Sequence, residues 1–246
     1  KTANYPGVTV ERHTGHLKLA SGPVTLVDLP GAYSLAAYSP DEMISTEVLL
    51  GHIDDLPLPS AILIVIDSTN LRRNLFMATQ LLELDLPVVI ALNMIDLATK
   101  RGITIDATRL GEELGATVVP IVANSGKGAA AIKQALQEVL DAPVVRRPSL
   151  VPAIRSTAEE LMQRLADEST TLSLFEIERA LIDKDGAAEA RLVARTGKGT
   201  MALLTEARAE LNNQGTVAAV EARTRYAWID KTVRAVETRS ASKQYL

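Results

Sequence analysis

Four short, mostly apolar runs, at residues 24–27, 61–66, 88–92 and 118–122, constrain this chain more than any other feature. Each is too short for an ordinary helix and lacks sustained alternation, so each suits a strand buried on both faces. Among them, Leu71, Leu75, Ala78 and Leu82 recur at helical spacing, as do Leu110 with Leu114 and, later, Ile132, Leu136 and Leu140. Strands alternating with amphipathic helices predict an α/β layer whose mostly parallel sheet is covered on both faces by crossover helices. A further strand is expected over 8–19, whose first half alternates apolar and polar residues.

The pattern changes after residue 141. The segment 141–149 carries Pro143, Pro148 and the pair Arg146–Arg147 without any period, which marks a domain edge. Beyond Pro152 strand patterns disappear, while Ile154, Ala158, Leu161 and Leu165, then Tyr226, Ile229, Val233 and Val236, recur three and four residues apart. The expected organisation is an α/β domain over 1–145 and a small all-α bundle over 150–246. No repeat of 20 to 50 residues is present, which argues against a solenoid.

Composition removes several function classes. A net charge of -4 gives no broad basic field, so neither nucleic acid nor anionic lipid is expected as a partner. The absence of cysteine excludes disulfides, iron–sulfur clusters and thiolate zinc, and suits a reducing compartment such as the cytoplasm. The longest apolar run, 61–66, ends at Asp67, far short of the roughly 20 apolar residues of a spanning helix. The first residues contain neither an initiating Met nor a signal-peptide core, so the chain reads as a fragment of a longer protein.

Chemistry gathers after the strands. Asp28, Leu29, Pro30 and Gly31 follow the run 24–27 at its carboxyl end, where open α/β sheets bind ligands. There Asp28 can hold a Mg²⁺-bound water, and Gly31 lets a backbone N–H approach a terminal phosphate oxygen. A plain strand-to-turn transition accounts for the same four residues. Asn93, Met94, Ile95 and Asp96 follow the run 88–92. A carboxylate at Asp96 can accept parallel hydrogen bonds from the N1–H and 2-amino group of guanine, a donor pair adenine lacks. Alone, this tetrapeptide reads equally as a helix cap. Together, with a strand before each, the two motifs are far more specific than either.

Two weaker elements complete the order. Val122, Ala123 and Asn124 lie where a backbone N–H can meet the guanine O6. Ahead of the first long strand, Gly7, Val8, Thr9, Val10 and Glu11 include a hydroxyl, that of Thr9, able to ligate Mg²⁺ when a γ-phosphate is bound. Thr9 is equally at home starting a strand.

In this order the four elements resemble the second to fifth boxes of the GTPase superfamily, a P-loop NTPase-like fold. Within it, the stretches 4–11, 28–35 and 67–75, with Gln80-Leu81-Leu82-Glu83-Leu84 and, near the end, Arg225-Tyr226-Ala227-Trp228-Ile229-Asp230, resemble the bacterial ferrous-iron transporter family FeoB. The resemblance is close over the G domain and looser over the helical part, where that family carries a domain likened to a nucleotide-dissociation inhibitor. It implies GTP and GDP as ligands, Mg²⁺ as cofactor through Thr9 and Asp28, and a regulatory GTPase. It further implies a C-terminal membrane permease domain on the same polypeptide, the cytoplasmic face of the inner membrane, and a possible homo-oligomer. Competing readings are a soluble GTPase of ribosome or tRNA maturation and a nucleotide-free interaction scaffold.

Two departures qualify this expectation. The phosphate-cradling loop G-x-x-x-x-G-K-[ST] is missing; Ser125-Gly126-Lys127-Gly128 matches it only in part and follows the last strand. With that loop goes a central strand, so sheet edges and apolar faces should be exposed, and the chain alone should bind GTP poorly. After Gly31, where many GTPases place a water-orienting Gln, stands Ala32, so hydrolysis should be slow and no catalytic base is assigned. Similar GTPases use K⁺, which makes K⁺ activation an implication of the resemblance.

Other residues carry less. His13 and His16 fall on opposite strand faces, and His52 lacks a third convergent ligand, so no transition-metal site is expected. Tyr226 lies on the last apolar stripe and suits core packing. Asp41 and Glu42 after Ser39-Pro40 read as a helix start. The pairs Arg72–Arg73 and Arg146–Arg147 are too small for a nucleic-acid footprint.

Overall fold

Val88, Val89, Ile90, Ala91 and Leu92 are each at most 2% exposed, so their strand must have a neighbour on both edges and cover on both faces. A computed structural model describes residues 2–5, 11–31, 34–36, 40–53, 56–144, 147–165, 172–212 and 215–240. In chain order its elements are β1 (Thr2–Asn4), β2 (Glu11–Leu19), β3 (Gly22–Asp28), α1 (Pro40–Leu49), β4 (Ile62–Asp67), α2 (Leu71–Leu81), β5 (Val88–Asn93), α3 (Ile95–Lys100), β6 (Ile103–Ile105), α4 (Ala107–Leu114), β7 (Thr117–Pro120) and α5 (Ala129–Asp141). The helical part adds α6 (Pro152–Leu165), α7 (Leu174–Ile182), α8 (Ala187–Thr196), α9 (Gly199–Leu211), α10 (Val217–Val236) and a last short strand, β8 (Glu237–Arg239).

β5 is the middle of a three-stranded parallel sheet ordered β4-β5-β7. Its side chains divide with period two. Val88, Ile90 and Leu92 join Leu71, Leu75 and Ala78 of α2 and Leu110 and Leu114 of α4, whereas Val89 joins Val119 with Ala135 and Leu136 of α5. Parallel pairing sets Asp67 beside Asn93 and Leu92 beside Pro120, so the carboxyl ends of all three strands form one edge.

The expectation that every short strand buries both faces holds for β5 and fails for β3 and β4. Leu26 of β3 is 39% exposed and Val65 of β4 is 59% exposed. The reason lies in the pairing. β3 belongs to a separate antiparallel sheet ordered β1-β2-β3, and among the described residues its ladder partner is β2 alone, His13 opposite Asp28 through Leu19 opposite Gly22. Among the described residues β4 pairs only with β5, so each of the two strands is an edge there, as expected where a central strand is lacking. The antiparallel hairpin is held by side chains instead: Leu17, Leu19 and Val24 pack with Leu63 and α5, and Ser21 donates from both its N–H and its hydroxyl to Gln137 Oε1, each at 2.9 Å.

Strand structure returns beyond residue 152, contrary to the helical pattern read there. β8 pairs antiparallel with β6, Ile103 opposite Arg239 and Ile105 opposite Glu237. Three residues, Glu237, Thr238 and Arg239, show no apolar period; the pairing is purely backbone, and the Asp106 N–H continues it to the Val236 carbonyl at 2.9 Å. The run 118–122 also ends early as a strand, at Pro120, and residue 122 opens a turn.

The helical part has its own core of Ile154, Ala158, Leu161, Ile177, Leu181, Leu192 and Leu204. α7 runs through its middle and buries its whole length from Phe175 to Ile182, starting from a capping box in which Ser173 and Glu176 exchange hydrogen bonds. α10 reaches back to the α/β layer: Ile229 and Val236 share the core of α2 and α4, and Tyr226 stacks on Phe76 at 5.0 Å between ring centres while Arg72 lies over its face and pairs with Asp230. Tyr226 is thus a packing residue.

Because α7 is buried all round, its charges need partners inside the protein. Arg179 bonds Asp183 at 2.6 Å and Glu221 of α10 at 3.1 Å; Arg225 bonds Glu221 at 2.8 Å and Glu83, just past α2, at 2.6 Å. Glu83 also accepts the Leu150 N–H at 2.7 Å, pinning the entry to the helical part. Burial pushes the neighbouring Glu178 carboxyl up to about 7, against the pull of Arg155, with Glu83 adding to the rise.

Candidate nucleotide site

Four strand ends carry the candidate residues, and the best-built corner is that of β5 and β7. Asn93 closes β5 and its Oδ1 accepts the Ala123 N–H at 3.0 Å, while the Ile121 N–H bonds the Leu92 carbonyl at 2.8 Å. The loop is stiffened from within: Val122 pairs with Lys127 through a backbone bond of 3.0 Å, and the Ser125 hydroxyl donates to the Val122 carbonyl at 3.1 Å. Met94 adopts a left-handed conformation, φ 61°, which turns the chain sharply out of β5 and places Asp96 in the first turn of α3. Asp96, Ala123 and Asn124 are all exposed, Ile95 and Val122 half-buried beneath them. The Asn93 side chain thus ties the end of β5, from which Asp96 follows in the first turn of α3, to the 122–124 turn, whose N–H groups at Val122, Ala123, Ser125 and Gly126 are bonded within the protein.

Gly128 closes this loop with φ 89°, and a Cβ there would lie 2.6 Å from Ile121 Cγ2 and 2.7 Å from the Pro120 carbonyl oxygen. A backbone carbonyl cannot step aside as a side chain can. Gly128→Ala is expected to lower stability by about 1–3 kcal/mol, read as a lower urea midpoint with unchanged slope; an unchanged midpoint would show that the loop yields freely.

At the second corner Asp28 ends β3 with its carboxylate exposed, and the carbonyl of the same residue accepts the hydroxyl of the buried Tyr5 at 3.1 Å. Leu29 packs inward, the Pro30 carbonyl accepts the Ser45 hydroxyl of α1 at 3.1 Å, and Gly31 is exposed with open space around it. Beside Asn93, Asp67 closes β4, and its carboxylate accepts the Thr69 N–H at 2.7 Å, capping the turn into α2. Glu11 opens β2 with its carboxylate 3.6 Å from His13. Gly7, Val8, Thr9 and Val10 lie outside the described residues, as does Ala32.

Sequence reasoning missed the residues that brace the two corners. Asp67 followed by Ser68 and Thr69 carries a cap signal after a strand and was open to reading; Tyr5 and Ser45, which act through a hydroxyl on a distant carbonyl, carry none. His13 and His16 stand apart, the latter 3.5 Å from Thr25, and His52 bridges Glu47 and Glu176 at 3.2 and 3.5 Å. Among the described residues no three His, Cys, Asp or Glu side chains converge on a metal. The exposed Asp28 carboxylate instead suits a hard cation held by one carboxylate, water and phosphate.

Comparison with known proteins gives a consistent picture. A family model described as ferrous iron transport protein B matches residues 1–136. The Fe(2+) transporter FeoB of Salmonella typhimurium is 43% identical over 140 residues, 55% of this chain and 18% of the relative, and that of Escherichia coli is 42% identical over the same length. The chain thus spans less than a fifth of the length of these curated relatives. Among solved structures, the cytosolic domain of L. pneumophila FeoB is 32% identical with a TM-score of 0.78, covering 97% of this chain and 90% of that one. A mutant S. thermophilus NFeoB bound to GDP is 27% identical with a TM-score of 0.74 over 97% and 90%. Both likenesses extend through the helical part. No helix among the described residues is long and apolar enough to cross a membrane.

Proposed function

Since the chain belongs to the ferrous iron transport protein B family, we propose that it is the guanine-nucleotide-binding, slowly GTP-hydrolysing regulatory part of a membrane Fe²⁺ uptake protein. The observation that supports this reading is the bond from the Ala123 N–H to Asn93 Oδ1, which ties the 122–124 turn to the end of β5, three residues before the exposed Asp96. Asp96 accepts the guanine N1–H and 2-amino group. Because the Ala123 N–H is already taken, the contact to O6 falls to the next N–H, that of Asn124. Asn93 acts as the strut between them, and Met94 sets the turn.

The phosphate end is read from Asp28 and Gly31. Asp28 holds Mg²⁺ through water, and the Gly31 N–H meets the γ-phosphate; Thr9 is the direct Mg²⁺ ligand of the GTP state, with Gly7, Val8, Val10 and Glu11 as its flanking segment. Bound Mg²⁺ supplies charge neutralisation at the terminal phosphates. The cradle for those phosphates is not in these residues. The unshared edges of β3 and β4 are where a further parallel strand and its P-loop, from outside this sequence, complete the sheet. Ala32 has no group to orient the attacking water, so hydrolysis depends on backbone, a cation such as K⁺, or a partner. The nucleotide state then acts through the helical part on a permease domain of the same polypeptide at the cytoplasmic face of the inner membrane, as a monomer or a homo-oligomer.

Two measurements test this. GDP titration of this 246-residue chain and of the protein extended at its amino end should differ by at least about 100-fold, since the P-loop contacts are charge-assisted; equal affinities would contradict the placement of the missing cradle. Fe²⁺ accumulation by cells producing the full-length protein should fall when Asp96 is replaced, and uptake indifferent to that change would favour a scaffold role.

A further inference from the structure

Gln80, near the carboxyl end of α2, is 1% exposed and makes two hydrogen bonds that join distant parts of the chain. Its Oε1 accepts the N–H of Leu35 at 2.8 Å, and its Nε2 donates to Glu221 Oε1 of α10 at 3.0 Å. The amide orientation is fixed, because a backbone N–H demands an acceptor and a carboxylate paired with two arginines demands a donor. Leu35 is itself buried and lies four residues beyond Gly31 on the same segment. Glu221 is the centre of the buried network, bonded by Arg179 of α7 and Arg225 of α10. A single side chain thus spans from the segment that continues Asp28–Gly31 to the charges that fix α7 and α10.

We propose that Gln80 is a positioning residue that couples the segment 28–35 to the helical part, so that the order of Leu35 and the placement of Glu221 change together. This rests on the reading of 28–31 as the phosphate-sensing segment. When the Leu35 peptide, four residues after Gly31, is displaced, the Gln80 amide must follow to keep its N–H paired, and Glu221 cannot then keep all three of its donors in place. Coupling runs equally in the other direction, since a shift of α10 moves the acceptor offered to Leu35. Besides the pairs Arg72–Asp230 and Glu83–Arg225, the parts also meet at and just past α1, where Glu47 pairs with Arg191 and His52 faces Glu176. Glu47, Arg191 and His52 are partly open to solvent although Glu176 is buried, and pairs with such open groups contribute less and weaken with salt. The Gln80 amide, by contrast, is closed off from solvent.

The test uses the full-length protein loaded with GDP or with a non-hydrolysable GTP analogue, following hydrogen–deuterium exchange at Leu35 and across α7 and α10, with nucleotide affinity titrated in parallel. Gln80→Met keeps length and volume while removing both bonds. It should bind nucleotide as the parent does, exchange the Leu35 amide about tenfold faster, and shrink the difference between the two nucleotide states in α7 and α10 at least about fivefold. Gln80→Glu retains the acceptor for Leu35 but sets a carboxylate against Glu221; it should protect Leu35 and still lose the nucleotide-dependent difference, which a folding defect alone would not produce. A difference that survives in either folded variant at parental size, or that is absent in the parent although nucleotide binds, overturns the coupling role while leaving the nucleotide site intact. Failure of the parent to bind nucleotide overturns the functional reading itself, and this inference with it.

Discussion

Arg179→Ala is expected to remove about 3–5 kcal/mol of stability, because taking one partner from a buried ion network leaves the others charged and unpaired. Arg179 is 3% exposed and serves both Asp183 and Glu221. Burial pushes the Asp183 carboxyl upward and Arg179 opposes it; without the guanidinium, Asp183 must protonate or draw in water. For Glu221, burial also raises the pKa, but Arg179, Arg225 and the Gln80 amide outweigh it, so the carboxyl is held below its ordinary value. A depressed carboxylate stabilises the fold above its unfolded pKa, and that contribution is lost as the pH falls through the folded one. The parent should therefore lose stability on acidification below the ordinary glutamate range, and Arg179→Ala should already lack much of it at neutral pH. Urea unfolding at several pH values reads both effects. A loss under about 1 kcal/mol at neutral pH would mean that the network relaxes around the vacancy, contrary to the burial described.

The second large effect concerns the base. Asp96→Asn replaces an acceptor-only group with one that also donates, so one of the two guanine bonds is lost and a donor can face the 2-amino group. Hydrogen bonds to a charged group are worth about 1.5–3 kcal/mol each, so GDP should bind about 100-fold more weakly. Xanthine carries a carbonyl where guanine has the amino group, and its nucleotides should lose far less or gain. Equilibrium binding of both nucleotides to the full-length protein checks this. Because Asp96 is exposed and only opens the first turn of α3, unfolding should shift little, which separates a base-reading role from a structural one.

What could be read before the structure, and what could not, follows from the kind of interaction involved. β5 was legible because five consecutive apolar residues cannot all be covered in any other way, and the stripes of α2, α4, α5, α6 and α10 because one helical face must be apolar. Asn93 and Asp96 were legible as a pair with a chemical purpose, but the bond from Asn93 to Ala123 joins residues 30 apart and leaves no local trace. β6 with β8 escaped notice because three residues pairing through their backbones need no apolar side chain. The charges of α7 left no signal in the sequence and are buried, most of their partners, Arg155, Arg195 and Glu221, lying about 20 to 40 residues away along the chain. The motifs 80–84 and 225–230 stood out by resemblance alone; the structure gives them a physical role as the two sides of one contact. Exposure of Leu26 and Val65 departs from the simple strand pattern and agrees with the lack of a central strand that the missing P-loop entails.

The central claim is that the edge formed by Asn93, Asp96 and the 122–124 turn reads guanine. Its most direct test is displacement of a fluorescent GDP from the full-length protein by unlabelled GDP and by ADP. GDP should displace the label at least about 100-fold more effectively, through the two bonds to Asp96, and Asp96→Asn should erase most of that margin. ADP displacing the label within about threefold of GDP, a difference of under 1 kcal/mol, would contradict it.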